Sequence, residues 1–475
     1  MSWVTNESGK DASNAYWIHG SPGIGKTTLA HSLCAVLHEG KHLAGAFFCR
    51  NEQGLNEPRS ILRTFIYNLA VALPPFRNIV AERLRNDPNL TSESMQYTLF
   101  LDFLSKLPRP PERNLVFVID ALDECGNNQS LEGILTVLAN AVVQAPWLKI
   151  IITSRPESDI QCFFDTSPHL QYDLTTDEHA RADLITFAEG KFKLVASKAH
   201  IKTIWPDESL FNRVISQADG LFIFIETIAS TLKGSIDPTK SLEAILQDSA
   251  STGLKPLYGL YWSILRSKIQ EGHTEFRQMI GAILSTAAYR PLCDETIAKL
   301  AEVEHRVIKI WMDHLNSLLH RDERANGGVR VRHLSISEFF MSNKCDPDYR
   351  IDPVHANVQL GISCLKTMIR DLRFNICRLE DSQVANAAIK DLPSRIKDSI
   401  PDELQYSSLY WSNHICVHSA NGISRTLGSL KEFFEGLYPL YWIEALSLMG
   451  MVPIGALSLR RVISLIKVCI APASI

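Results

Sequence analysis

Short apolar runs alternate with amphipathic stretches over the first third of the chain. Residues 16–19, 45–49, 115–119 and 148–153 are compact and largely apolar, which predicts four strands. Leu115-Val116-Phe117-Val118-Ile119 is apolar at every position, so that strand is expected to be buried on both faces. Between the runs the spacing changes. Leu29, Leu33, Val36 and Leu37 are placed to line one face of a helix after the first strand. Ile61, Phe65, Ile66, Leu69 and Ala70 are placed to line a second. Strand and helix in alternation predict an α/β domain built on a parallel sheet.

Beyond residue 175 strand runs become rare and the pattern is helical, with Pro206, Pro238, Pro256 and Pro291 marking breaks between helices. Gly327-Gly328 followed by Val329-Arg330-Val331-Arg332-His333 predicts a short hairpin strand inside this helical region, the signature of a small winged-helix domain. From residue 352 onward the pattern is helical again, and residues 445–459 read as helix, turn, helix. The expected organisation is an α/β P-loop domain over residues 1–172, an all-α helical domain over 173–255, a winged helix over 256–350 and a helical C-terminal extension over 351–475.

Composition narrows the class. The 475 residues are 45% hydrophobic and 21% charged, the balance of a chain with packed cores. A formal charge of −4 gives no case for a broad nucleic-acid or membrane surface. None of the 10 cysteines form a Cys-x-x-Cys pair, which disfavours zinc ribbons and redox motifs and suits a reducing compartment. The opening MSWVTNESGK lacks the apolar core of a signal peptide, and the late apolar stretch is interrupted by Gly450, Pro453 and Gly455. A soluble, cytoplasmic protein with no membrane span and no nucleic-acid partner is expected.

The chemistry concentrates in three places. Gly20-Ser21-Pro22-Gly23-Ile24-Gly25-Lys26-Thr27, continued by Thr28, is a full G-x-x-x-x-G-K-T between a predicted strand and a predicted helix. Glycines let backbone N–H groups turn inward around phosphates, and the helix N-terminus adds its positive end. Lys26 is then the residue for the β- and γ-phosphates of ATP, and the Thr27 hydroxyl for Mg²⁺. Second, Asp120 closes the buried run 115–119, where a Walker B acid holds Mg²⁺ directly or through water. Asp123 and Glu124 follow it as candidates to orient or activate a water, or else to cap the next helix. Third, Ile150-Ile151-Ile152-Thr153-Ser154-Arg155 is another apolar run ending in an arginine that could stabilise the γ-phosphate. Two GTPase-like strings, Asp123–Gly126 and Asn343–Asp346, are decoys: the second follows a helical run rather than a buried strand.

GSPGIGKTT, LVFVIDALDEC and IIITSRP together resemble the NACHT class of signal-transduction ATPases, in particular the fungal NOD-like proteins. The acidic pair after the strand is the specific element. The likeness continues through Asp219-Gly220-Leu221-Phe222-Ile223, His333-Leu334-Ser335-Ile336-Ser337-Glu338-Phe339-Phe340, Tyr349-Arg350-Ile351-Asp352-Pro353 and Tyr410-Trp411. The resemblance implies that Arg155 is a sensor arginine and that His333 reaches the β-phosphate of ADP in a resting form. Phe222 stands where relatives often carry a proline that contacts adenine, a departure that leaves the adenine contacts open. The implied function is an ATP/ADP switch with weak ATPase activity that self-associates into a homo-oligomer. Two alternatives stand beside it. The chain starts close before the P-loop and ends without ankyrin, WD or tetratricopeptide repeats, so a truncated nucleotide-binding scaffold or decoy is one. A housekeeping P-loop ATPase with steady turnover is the other.

Overall fold

The computed structural model describes residues 2–5, 13–50, 57–86, 95–107, 113–126, 128–166, 168–177, 179–323, 326–381, 384–416 and 420–470. They divide into two compact units, Met1–Glu243 and Ala244–Ile475.

The first unit carries a five-stranded sheet of β1 (Ala15–His19), β2 (Leu43–Phe48), β3 (Leu115–Asp120), β4 (Leu148–Ser154) and β5 (Leu170–Asp173) in the order β2-β3-β4-β1-β5. All its pairings are parallel. Every residue of β3 and β4 is buried, as a strand covered by helices on both faces requires. One face packs Ile18, Val116, Val118 and Ile151 against Ala30 and Leu37 of the Lys26–Glu39 helix. The other packs Trp17, Phe117, Ile119, Ile150 and Ile152 against apolar residues of helices Pro58–Ala72, Met95–Ser105, Asn128–Gln144 and Ser158–Thr166. Phe65 and Phe117 stack there at 3.6 Å between ring centroids.

The four predicted strands are present with their ends moved by one or two residues. Two expectations change. Of the predicted face on the first helix, Leu37 is buried beside Ala30, and Leu29 and Leu33 pack partly buried against the same core, whereas Val36 is 46% exposed and lies off that face. A fifth strand, β5, joins the sheet edge beside β1 although its side chains are mostly exposed.

Within the second unit, helices His273–Ala287, Asp294–Ala301 and His305–His314 precede an antiparallel hairpin of β6 (Leu319–Asp322) and β7 (Gly328–Val331). The predicted strand after the Gly-Gly pair is β7. The run 336–341 is helical as expected, within Leu334–Met341. Further on, helices Pro353–Asp371 and Asp402–Ile415 cross so closely that a Cβ on Gly361 would lie 2.7 Å from Ile415 Cγ1. The expected helix–turn–helix near the end is Tyr438–Leu448 and Val452–Ile470, turning at Gly450 with φ +70°. Pro453 and Gly455 fall in the first turns of the second helix, where a proline costs no hydrogen bond. No helix among the described residues is long and apolar enough to cross a membrane.

Candidate nucleotide-binding site

The site forms at the carboxyl ends of the strands. β1 ends at His19, residues 20–25 form the loop, and the helix begins at Lys26. Gly23 and Gly25 take φ +82° and +102°, values that L side chains rarely adopt, so glycine is required to bend the loop. A Cβ on Gly20 would come within 3.3 Å of Ile24 Cγ2 and 3.4 Å of Leu174 Cβ.

Strand order brings the three motifs together. β4 lies between β1, which leads into the loop, and β3, which ends in Asp120. The residues that end β4 therefore stand between the loop and the acid. Trp17 Nε1 of β1 donates to Ser154 Oγ at 2.8 Å, and Ser154 Oγ donates to the Arg155 carbonyl at 2.9 Å. Thr153 Oγ1 donates to Asp120 Oδ1 at 2.5 Å. Arg155 holds Asp123: its N–H donates to Oδ1 at 3.1 Å, and its Nε lies 3.2 Å from Oδ2.

Lys26 Nζ donates to the carbonyls of Gly20 at 2.7 Å and Ser21 at 3.0 Å. Burial pulls its pKa below the ordinary lysine value. The carboxylate of Asp123 opposes that shift, Arg155 adds to it, and Asp120 and Glu124 oppose it. All four charged partners singled out in the sequence thus act on the loop lysine. Thr27 and Thr28 are exposed at the first turn of the helix. Asp123 and Glu124 lie on a single 3₁₀ turn, Leu122–Glu124, and the next helix does not start until Asn128.

Two contacts lay beyond the sequence reading. The N–H of Ile223 donates to the Gly23 carbonyl at 3.3 Å, and a Cβ on Gly25 would lie 3.7 Å from the Phe222 ring. Phe222 also meets Phe187 edge-on at 5.3 Å. The Gly-Leu-Phe segment therefore packs directly on the phosphate loop. Thr153 was legible only as a polar residue ending an apolar run. His333 lies in the second unit, where it N-caps the Leu334–Met341 helix: its Nδ1 accepts from the Ser335 N–H at 3.2 Å and sits 2.6 Å from Ser335 Oγ.

The donor set fits a nucleotide with Mg²⁺. Glycines open a loop that a Cβ would close, a lysine ammonium faces loop carbonyls, and hydroxyls and a carboxylate supply the hard oxygens that Mg²⁺ selects.

Strand, glycine loop, lysine-led helix and an acid ending the strand two places across the sheet define a P-loop domain. The family model described as Nephrocystin 3, N-terminal, matches residues 1–155. The chain is 25% identical to vegetative incompatibility protein HET-E-1 of Podospora anserina over a 497-residue alignment that covers 96% of this chain and 35% of that protein. This chain spans about a third of that relative's length. Both matches bear out the resemblance to NACHT-type fungal NOD-like proteins. Among solved structures, the Walker-type ATPase paby2304 of Pyrococcus abyssi is 14% identical with a TM-score of 0.32, covering 69% of this chain and 90% of that one. Drosophila ORC bound to DNA is 14% identical with a TM-score of 0.31, covering 72% and 92%.

Proposed function

We propose that the chain is a nucleotide-controlled signalling switch. The first unit binds ATP or ADP with Mg²⁺, hydrolyses ATP slowly, and changes its self-association with the nucleotide held. The observation that carries this reading is the convergence of Lys26, Asp120, Asp123, Glu124 and Arg155 at the ends of three neighbouring strands.

In this reading residues 20–28 hold the phosphates, with Lys26 leaving the Gly20 and Ser21 carbonyls for the β- and γ-oxygens. Thr27 and Asp120 would hold Mg²⁺, which when bound would neutralise charge on the phosphates. Glu124 orients water and Arg155 stabilises the γ-phosphate. The contact of Ile223 with Gly23 supplies a route from the loop into the Phe222–Leu232 helix. Beyond residue 255 we read helices His273–Ala287, Asp294–Ala301 and His305–His314 with the β6–β7 hairpin as a winged helix, followed by a helical extension. His333 enters through the family resemblance alone. With Nδ1 accepting from Ser335, its neutral ring carries the proton on Nε2, the form needed to donate to a phosphate.

The test is to identify the nucleotide that co-purifies with the full chain and to follow hydrolysis in a single turnover. Retained ADP, slow turnover and assembly that differs between ATP and ADP support the switch. Fast multiple turnover identifies a working ATPase. Nucleotide binding with assembly indifferent to the nucleotide identifies a scaffold.

A further inference from the structure

The acid that ends β3 does not set its own orientation. Asp120 is 2% exposed, and Thr153, on the adjacent strand and fully buried, lies 2.5 Å from its Oδ1. The direction of that hydrogen bond is determined by a third group. The Ala121 N–H donates to Thr153 Oγ1 at 3.0 Å, so the hydroxyl is already an acceptor on that side and its own proton goes to Asp120. The same contact holds the chain where it leaves the strand. Ala121 takes φ +54° and ψ +50°, an uncommon conformation for a residue with a Cβ, and its carbonyl accepts the N–H of Glu124 at 2.9 Å. Thr153 thus pins both the Asp120 carboxylate and the first residue of the turn that bears Asp123 and Glu124.

We propose that Thr153 is a positioning residue for the metal arm of this site: it fixes Oδ1 of Asp120 so that Oδ2 is presented to the divalent cation that accompanies the nucleotide. The inference rests on the nucleotide reading above. Its physical content is preorganisation. A carboxylate held by a hydroxyl loses no rotational freedom when it takes a cation or a cation-bound water, whereas an untethered one does. Thr153 is fully buried, so its effect passes through Asp120 or through the Ala121 turn, and the Mg²⁺ dependence isolates the Asp120 route.

The experiment is a fluorescent-ATP titration of the full chain at a series of Mg²⁺ concentrations and in excess chelator, on wild type, Thr153→Val and Thr153→Ser. Valine keeps the β-branched shape and removes the hydroxyl, while serine keeps the hydroxyl. We expect Thr153→Val to raise the Mg²⁺ concentration for half-maximal enhancement by about tenfold, the scale of one charge-assisted hydrogen bond. Affinity in chelator should stay at the wild-type value, and Thr153→Ser should return the Mg²⁺ response toward wild type. An unchanged Mg²⁺ half-saturation in Thr153→Val overturns the proposal. So does an equal loss of affinity with and without Mg²⁺, which would make Thr153 a residue of general site shape. Should Thr153→Val fail to fold, Thr153→Ala, which also removes the hydroxyl but leaves room around it, takes its place: a raised Mg²⁺ half-saturation at unchanged chelator affinity supports the role, and a half-saturation equal to that of wild type overturns it. Failure of wild type to bind nucleotide under any condition removes the underlying reading as well.

Discussion

Asp123 grips Arg155 with both carboxylate oxygens, one on the backbone N–H at 3.1 Å and one beside Nε at 3.2 Å. The side chains are only 5% and 19% exposed, so this is a sheltered pair rather than a surface one. A carboxylate engaged in this way is poorly placed to accept a proton from water. It is well placed to aim a guanidinium. In the proposed mechanism the two acids of the turn divide their work, with Asp123 orienting Arg155 and Glu124 acting on water. Glu124→Gln should retain nucleotide binding and lower single-turnover hydrolysis by about 10²–10⁴-fold, the usual span for removing a general base. Asp123→Asn should lower it by about tenfold and weaken discrimination between ATP and ADP, because the arginine loses its anchor. Rapid-quench hydrolysis and paired ATP and ADP titrations check both. Normal hydrolysis in Glu124→Gln would return the role of base to Asp123.

That division could not be read from the sequence, in which Asp123 and Glu124 are two adjacent acids. What separates them is the arrival of β4 beside β3, a pairing of residues more than thirty positions apart. The motifs themselves were legible because their chemistry is local: a glycine loop between strand and helix, and acids at the end of an apolar run. The central strands were legible for the same reason, since β3 and β4 are buried on both faces and leave continuous apolar runs. β5 left no such trace. Leu170 and Tyr172 are 39% and 40% exposed, and only hydrogen bonding to β1 makes the segment a strand. β6, with the sequence Leu-His-Arg-Asp, is likewise held by its partner rather than by its own pattern. Its Arg321 lies opposite Val329 and forks onto Asp294, a pairing that sequence distance conceals.

Lys26 is held away from water by carbonyls that cannot neutralise it, and burial lowers its pKa. In the proposed site such a residue serves the ligand rather than the fold. Lys26→Ala should reduce ATP affinity by at least about tenfold, the equivalent of one charge-assisted hydrogen bond of roughly 1.5–3 kcal/mol. The thermal midpoint without nucleotide should stay near that of wild type. Equal affinity for a fluorescent ATP analogue in both proteins would remove Lys26 from the site.

His333 has a measurable structural role whatever its part in signalling. It caps the Leu334–Met341 helix and contacts Ser335, whose Oγ is 2.8 Å from the buried Tyr261 hydroxyl. His333→Ala should cost about 1 kcal/mol of stability in the second unit, and His333→Asn should restore most of it as a good capping residue. The signalling role has a separate readout. Faster ADP release in both variants supports a phosphate contact through Nε2. An unchanged ADP off-rate in both assigns His333 to the cap alone.

His414 provides the last test, through pH. It is fully buried in the second unit, and desolvation lowers its pKa from the ordinary 6.5 to about 3. Its neutral ring is fully engaged: Nδ1 lies 2.9 Å from Asn357 Oδ1 and Nε2 lies 2.8 Å from the Tyr406 hydroxyl. Since Asn357 Nδ2 donates to the Pro353 carbonyl at 2.8 Å, its Oδ1 is the acceptor, so the ring proton sits on Nδ1 and Nε2 accepts from tyrosine. The sign follows from which state binds the proton. Between pH 6.5 and about 3 the unfolded chain protonates this imidazole and the folded chain does not, so stability is complete above the unfolded value and is lost as pH falls through that window. The limiting slope for one proton is about 1.4 kcal/mol per pH unit. His414→Gln removes the titration, although it weakens the contacts to Tyr406 and Asn357 and should lower stability at neutral pH. The expected result is therefore a crossing of trends. The variant should be less stable than wild type at about pH 7, and the gap should narrow on acidification toward about pH 5, because the carboxylates and other histidines titrate alike in both proteins. Denaturant unfolding of the two full chains across that range would show it, and a gap that stays constant with pH would mean that His414 takes up its proton in the folded state despite its burial.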